Sequence, residues 1–250
     1  MKKYFEIQKL KDPDTNCEYY YIKIKKQISG RKILCPRVKL TNKDYINSTS
    51  IYDFMQSQNA LLGINAGIFN TGTMVPECAL MIDGEILFDC KETYVHVNPY
   101  DGEEKRSILY ILGIKQNGDL KMYPPSYTLE QIKSDGCRDA VMGFIPLIDN
   151  YQSFEGGDEL VPHGAYKQKP RQVIGQDENK DFFVFTVLAP GMTYEQTRAL
   201  LKRHNVPFAY ALDGGSSTQT IFDKKRLTEI YRGETGRCVP TAITFEVEDI

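Results

Sequence analysis

Three short stretches of this chain bring together residue types that bind or break polar bonds. The first is Ala211-Leu212-Asp213-Gly214-Gly215-Ser216-Ser217-Thr218-Gln219. An apolar run delivers Asp213, two glycines permit a tight loop, and Ser216, Ser217 and Thr218 supply hydroxyls that donate and accept. A carboxylate followed by such a loop suits an anion or a sugar; the plainer reading is an Asp-Gly hairpin turn. The second stretch is Lys169-Pro170-Arg171-Gln172-Val173-Ile174-Gly175, in which Pro170 fixes the backbone entry and Arg171 opens an apolar strand. An arginine there offers a rigid fork of donors matched to phosphate or carboxylate oxygens, or it is a surface arginine at a strand end. The third is Asn65-Ala66-Gly67-Ile68-Phe69-Asn70. A strand ending in Asn-x-Gly turns sharply and brings backbone N–H groups close to a ligand; an ordinary turn reads the same way.

Other routes to catalysis lack their residues. No G-x-x-x-x-G-K-[ST], G-x-G-x-x-G or H-E-x-x-H string is present, and DGGSST misses G-x-S-x-G because Thr218 holds the last place. The three histidines, His96, His163 and His204, are far apart and read as surface or packing residues rather than metal ligands. Six cysteines, at 17, 35, 78, 90, 137 and 238, form no C-x-x-C pair, so neither a zinc ribbon nor a thioredoxin-type site is expected. The thiols read as mostly reduced. A cysteine hydrolase using Cys78 with His96 lacks an activating context.

The elements that must position these stretches are mostly strands. ALMI-DG-EILF at 79–88 and ILYILGIKQ-NG-DLKMY at 108–123 are hairpin signals around Asp83-Gly84 and Asn117-Gly118. RQVIG at 171–175 and DFFVFTVL at 181–188 flank a polar turn, and FAYAL, TQTIF and TAITFEV follow at 208–212, 218–222 and 241–247. The first forty residues are β-rich, with YYYIKIKK at 19–26 alternating. Helices are expected after Ser50 with Asp53, running through Leu62, after Thr128 with Gln131, and after Thr193 with Gln196. About ten strands and about three helices give an α+β fold, a mixed and mainly antiparallel sheet in a single domain. The polar, Gly-rich stretch 149–170 is expected to be a long surface loop of functional weight.

Composition limits the partners. Of 250 residues, 41% are hydrophobic and 26% charged, and 31 Lys+Arg against 33 Asp+Glu leave a net charge of −2. No basic excess points to nucleic acid or to an anionic membrane. No run approaches the roughly 18 apolar residues of a membrane span. Glu6, Gln8, Lys9 and Lys11 interrupt any signal h-region, so a cytoplasmic location, or export without a cleaved signal, is expected.

Taken in order, N-A-G-x-F (Asn65 to Phe69), P-R-x-x-I-G (Pro170 to Gly175), G-M-T (Gly191 to Thr193) and L-D-G-G-x-S-T-Q (Leu212 to Gln219) closely resemble the phosphodiester glycosidase family. Glu77-Cys78 and Arg237 before VPTAITF fit the same pattern. The chain departs from it at Ser216, where the family carries a third glycine, and at Val141 to Pro146, where many relatives carry Gly-Gly before proline. The resemblance spans about 65–245 and implies a glycosidase-like domain over 61–250. Residues 1–60 are then a β-rich and helical segment packed on it. It implies a hydrolase that removes an N-acetylglucosamine-like sugar from a glycosyl-1-phosphodiester. The partner would be a small molecule or glycan carrying a sugar-phosphate linkage. Asp213 would be general base or nucleophile, Arg171 the phosphate clamp and Glu77 a second carboxylate. Asn65, Gly67, Gly214, Gly215, Ser216, Ser217, Thr218 and Arg237 would hold substrate. No cofactor or metal is called for, although Asp213 with Glu77 could host a divalent cation. The alternative is a non-catalytic module binding a phosphosugar or nucleotide-like ligand within a phage or prophage protein, which would be virion-associated.

Overall fold

The computed structural model describes residues 1–77, 79–89, 94–97, 104–107, 109–154 and 166–249, with the backbone alone at 94–97 and 104–107. Strands form antiparallel pairs throughout the described residues, in three sheets and a short ribbon. The seven-stranded sheet runs Phe5–Lys11, Glu18–Ile24, Phe182–Met192, Lys169–Gln176, Phe208–Ala211, Pro146–Asp149, Gln152–Ser153. The six-stranded sheet runs Lys225–Arg226, Thr220–Phe222, Leu62–Asn65, Thr241–Asp249, Lys32–Leu40, Gln27–Ser29. A five-stranded sheet runs Leu120–Tyr123, Ile111–Lys115, Cys137–Met142, Leu80–Ile82, Glu85–Phe88. The ribbon pairs Tyr94–Val97 with Glu104–Ser107. This is the expected α+β fold with mainly antiparallel sheets.

The seven-stranded sheet is the centre, because both its faces are apolar. Along Phe182–Met192, Phe183, Phe185 and Val187 enter one buried cluster while Phe182 and Val184 enter another. Successive side chains of a strand point to opposite faces, so a near-continuous apolar run requires cover on both sides. The helix α3 (Tyr194–Arg203) and the helix α2 (Leu129–Ser134) contribute Tyr194, Leu200, Leu201, Leu129 and Ile132 to the first cluster. The six-stranded sheet covers the other face with Val38, Ile64, Ile243 and Phe245. On its far side lies α1 (Ile51–Ser57), packing Ile51, Phe54 and Met55 against Ile221 and Ala242.

Local signals in the sequence set most of these elements. Asp83 and Gly84 take φ of 53° and 75° between two paired strands, the geometry of a type I′ turn. Thr128 with Gln131 and Thr193 with Gln196 form complete capping boxes. The helix after Ser50 stops at Ser57, short of Leu62, because Leu62 to Asn65 are drawn into the centre of the six-stranded sheet. Residues 1–60 are woven into both large sheets: Glu18–Ile24 pairs with Phe182–Met192, and Lys32–Leu40 pairs with Thr241–Asp249 over nine positions. Half of the 149–170 stretch, residues 155–165, lies outside the described residues, as do Cys78, Cys90 and His163. Cys17, Cys35, Cys137 and Cys238 are free thiols. No helix among the described residues is long and apolar enough to cross a membrane.

Candidate active site

Asp213 stands where the chain leaves the seven-stranded sheet for the six-stranded one. It lies just past the strand Phe208–Ala211, and the loop beyond it enters Thr220–Phe222. Its N–H donates to the Ala66 carbonyl at 3.0 Å, so the loop is tied to the end of Leu62–Asn65 at its first residue. Asn65, 1% exposed, completes that tie. Its Nδ2 donates to the Asp213 carbonyl at 2.7 Å and its Oδ1 accepts from the Gln219 N–H at 3.0 Å, spanning 148 and 154 positions. Both ends of this carboxamide act on the loop backbone. Gln219 then links the loop onward: its Oε1 accepts from the Ile51 N–H at 3.1 Å and its Nε2 donates to the Arg237 carbonyl at 2.8 Å.

The glycines are required by close approach. A β-carbon on Gly214 would lie 2.9 Å from the Pro170 carbonyl oxygen, so this glycine lets the loop rest on the Lys169–Gln176 strand. Gly215 has φ of 60°, in the left-handed region that favours glycine. Gly67 is a different case. Its N–H, which the sequence offers to a ligand, donates instead to Thr241 Oγ1 at 3.1 Å. A β-carbon there would lie 2.7 Å from Val141 Cγ2, so Gly67 serves the packing of two sheets.

The charged groups around the loop are unevenly engaged. Asp213 Oδ1 accepts from the Gly214 N–H at 2.8 Å, and the Ser217 hydroxyl also bonds its carboxylate. Arg237 Nη1 donates to Ser216 Oγ at 2.9 Å and Ser217 Oγ at 3.3 Å, with the guanidinium 5.1 Å above the Phe69 ring. Ser216, the departure from the family's third glycine, is thus tied to Arg237. Burial pushes the Asp213 carboxyl from 3.8 up to about 6, although the Ser217 hydroxyl, Arg237, the Gly214 N–H and Lys169 all favour its charged form. Thr218 Oγ1 is buried and has no hydrogen-bond partner among the described residues.

Arg171 lies beneath the same loop, 4% exposed. Its Nε donates to the Met192 carbonyl at 2.7 Å, its Nη2 to the Lys167 carbonyl at 2.6 Å, and the guanidinium stacks 4.1 Å above the Tyr194 ring. The structure therefore brings Asn65, Arg171, Asp213, Arg237 and the Gly214 to Thr218 loop together. Glu77 is tied to the segment that follows Gly67: its Oε1 accepts from Asn70 Nδ2 at 3.1 Å and its N–H donates to the Ile68 carbonyl at 3.2 Å, next to Phe69, whose ring carries Arg237. The sequence reading passed over Lys169, which lies against Gly215 and feels the charge of Asp213. Its signal was its position two residues before Arg171, on the same face of the strand. Among the described residues no cluster of three His, Cys, Asp or Glu could hold a metal ion. The arrangement can bind an anion beside a carboxylate that is ready to accept a proton near neutral pH.

The family model of the phosphodiester glycosidases matches residues 58–246. The catalytic domain of zebrafish N-acetylglucosamine-1-phosphodiester alpha-N-acetylglucosaminidase, auto-inhibited by its pro-peptide, is similar over 97% of this chain and 82% of that one, with a TM-score of 0.70 and 15% identity. A hypothetical protein from Synechocystis is similar over 98% of this chain and 62% of that one, with a TM-score of 0.69 and 14% identity. At such identities the likeness is one of fold. No curated protein matches the sequence.

Proposed function

Because the chain belongs to the phosphodiester glycosidase family, we propose that it hydrolyses a glycosyl-1-phosphodiester, releasing an N-acetylglucosamine-like sugar. The observation that carries this reading is Asp213: a carboxyl with its pKa raised to about 6, set at a glycine loop beside Arg237 and two serine hydroxyls. The reaction breaks the bond between the anomeric carbon and the phosphate oxygen. The bonding pair leaves with the phosphate, which departs as a stable anion and needs little protonation. The difficulty lies in the positive charge that develops at the anomeric carbon and in activating water. Asp213, ionised above about pH 6, is the group to accept the proton of that water or to attack the carbon itself. Arg237 with Ser216 and Ser217 offers donors to phosphate or sugar oxygens. Arg171 and Asn65 hold the loop in place.

The test is incubation with the methyl phosphodiester of N-acetylglucosamine 1-phosphate in ¹⁸O-labelled water. Release of N-acetylglucosamine with the label on the sugar supports the reading. Label on the phosphate would make the protein a phosphodiesterase of another kind. Binding without release would leave a phosphosugar-binding module.

A further inference from the structure

The guanidinium chosen from the sequence as phosphate clamp is already committed. Arg171 is held by two backbone carbonyls and a tyrosine ring. Arg237 spends Nη1 on Ser216 and Ser217. A further cation at the loop is Lys169, the first residue of the strand Lys169–Gln176. It is half-buried. Its Cδ lies 3.8 Å from the point a β-carbon on Gly215 would occupy, so the stem runs along the glycine loop. Among the described residues its ammonium has no hydrogen bond and no ion pair, although a half-buried ammonium with three donors normally finds a partner.

Two features make this placement a fixed one. The pairing with the neighbouring strand slips between Lys169 and Arg171: Lys169 faces Met192, while Arg171 faces Val187. The slipped segment returns through Gly191, whose φ is 95° and whose α-carbon packs so tightly on the Lys169 carbonyl that a β-carbon would lie 1.8 Å from it. The strand end cannot drift, and Arg171 anchors it from below. The charge around it is also unbalanced. Arg171 and Lys167 stand beside Lys169, and among the described residues Asp213 is the carboxylate that acts on it. Burial and its two cationic neighbours lower the Lys169 pKa, as expected where positive charge awaits an anion.

We propose that Lys169 is a catalytic residue that contacts the phosphate of the bound glycosyl phosphodiester, with Arg171 as the positioning residue beneath it. The inference rests on the hydrolase reading above. As the bond from the anomeric carbon to oxygen breaks, its electron pair moves onto the phosphate, which passes from a singly charged diester to a doubly charged monoester. The ammonium keeps its proton and meets that added charge. Fixed cations at developing oxyanions are worth about 10²-fold or more in rate.

The experiment compares wild type, Lys169→Met and Lys169→Arg. It uses the methyl phosphodiester of N-acetylglucosamine 1-phosphate and an aryl N-acetylglucosaminide that lacks phosphate, with calorimetric binding of inorganic phosphate and melting temperature alongside. Lys169→Met should lose about 10²-fold in kcat/KM on the phosphodiester, change the aryl glycoside by less than about threefold, and weaken phosphate binding about tenfold or more, with an unchanged melting temperature. Lys169→Arg should recover part of the loss, because the charge returns. Equal losses on both substrates, or full phosphodiester activity in Lys169→Met, overturns the assignment while the hydrolase reading stands. If wild type hydrolyses neither substrate yet binds phosphate through Lys169, the hydrolase reading falls and the phosphate contact remains. A wild type that neither hydrolyses nor binds phosphate refutes both.

Discussion

Replacing Asp213 by asparagine should make the protein inactive and more stable at the same time. Burial holds the carboxyl proton more tightly in the folded protein than in the unfolded chain, raising its pKa from 3.8 to about 6. Such a rise corresponds to roughly 3 kcal/mol of difference between the two protonation states, and the partial solvent contact of Asp213 trims this to roughly 2–3 kcal/mol. The sign follows from proton binding. Between about pH 4 and 6 the native state binds more protons than the unfolded state, so stability falls as pH rises. The contribution of the neutral carboxyl is fully present below about 3.8 and is lost as pH passes about 6. Above that, wild type carries a charged, desolvated carboxylate. Asparagine is neutral at every pH and retains an oxygen to accept from the Gly214 N–H. Asp213→Asn should therefore melt about 4–12 °C above wild type at pH 8, taking about 2–4 °C per kcal/mol for a chain of this size, with the gap closing near pH 4. Hydrolysis of the phosphodiester should drop about 10²-fold or more. Calorimetry at the two pH values, beside the hydrolysis assay, checks both limbs. A variant that melts below wild type at pH 8 would refute the argument that burial, rather than Arg237 and Ser217, dominates the site.

The same reasoning extends to the neighbours. The acid limb of the wild-type rate should have its midpoint near pH 6, and Arg237→Gln should move it upward, since Arg237 favours the ionised carboxylate; a pH–rate profile of kcat/KM reads the shift. Arg171→Lys should lower the melting temperature by several degrees, because lysine cannot serve the Met192 and Lys167 carbonyls together and each buried acceptor left bare costs about 1–3 kcal/mol; an unchanged melting curve would make Arg171 a substrate contact instead. Asn65→Ala bares the Asp213 carbonyl and the Gln219 N–H, so stability in urea should fall by about 2–4 kcal/mol, with turnover reduced in the surviving folded fraction. Gly214→Ala should cut turnover about tenfold or more with a small melting change, since its β-carbon would press on the Pro170 oxygen and lift the loop; full activity would show that the loop has room to give.

What could be read from the sequence was what local chemistry decides. Asp83-Gly84, the Thr128 and Thr193 caps and the alternating strands carry their own turn and end signals, and they form as expected. The glycine loop after Asp213 was legible because Gly-Gly next to hydroxyls has few other uses. Short strands such as Gln27–Ser29, Gln152–Ser153 and Lys225–Arg226 were not legible. Two or three residues hold no periodicity, and only a neighbouring strand makes them strands. The part played by Arg171 was hidden for a related reason. Its partners are the Met192 and Lys167 carbonyls and the Tyr194 ring, and which backbone atoms face a side chain depends on register and bulges that no spacing records. Gly67 and Asn65 stand out in the sequence as donors for a ligand, yet their hydrogen bonds turn toward the protein, which type and order alone do not reveal.

A carboxylate that is costly to ionise needs a loop that will not yield, because a flexible loop would relax, admit water and return the carboxyl to its ordinary pKa. The stiffness comes from below the loop, where two sheets are joined by polar side chains. Gln172 of the seven-stranded sheet donates to Thr186 Oγ1 at 3.1 Å and accepts from Thr220 Oγ1 at 3.2 Å, and the two threonine hydroxyls lie 2.7 Å apart. All three residues are at most 1% exposed. Thr220 is the first residue of the strand that follows the loop, and the Gln172 carbonyl accepts from the Leu212 N–H just before it. Both ends of the loop are therefore fixed to one buried glutamine. An apolar trio would fill the space equally well but would accept several registers, whereas hydrogen bonds of this kind are satisfied in one. The sheets meet at one angle and one offset, and that offset sets Asp213 beside Lys169 and Arg237.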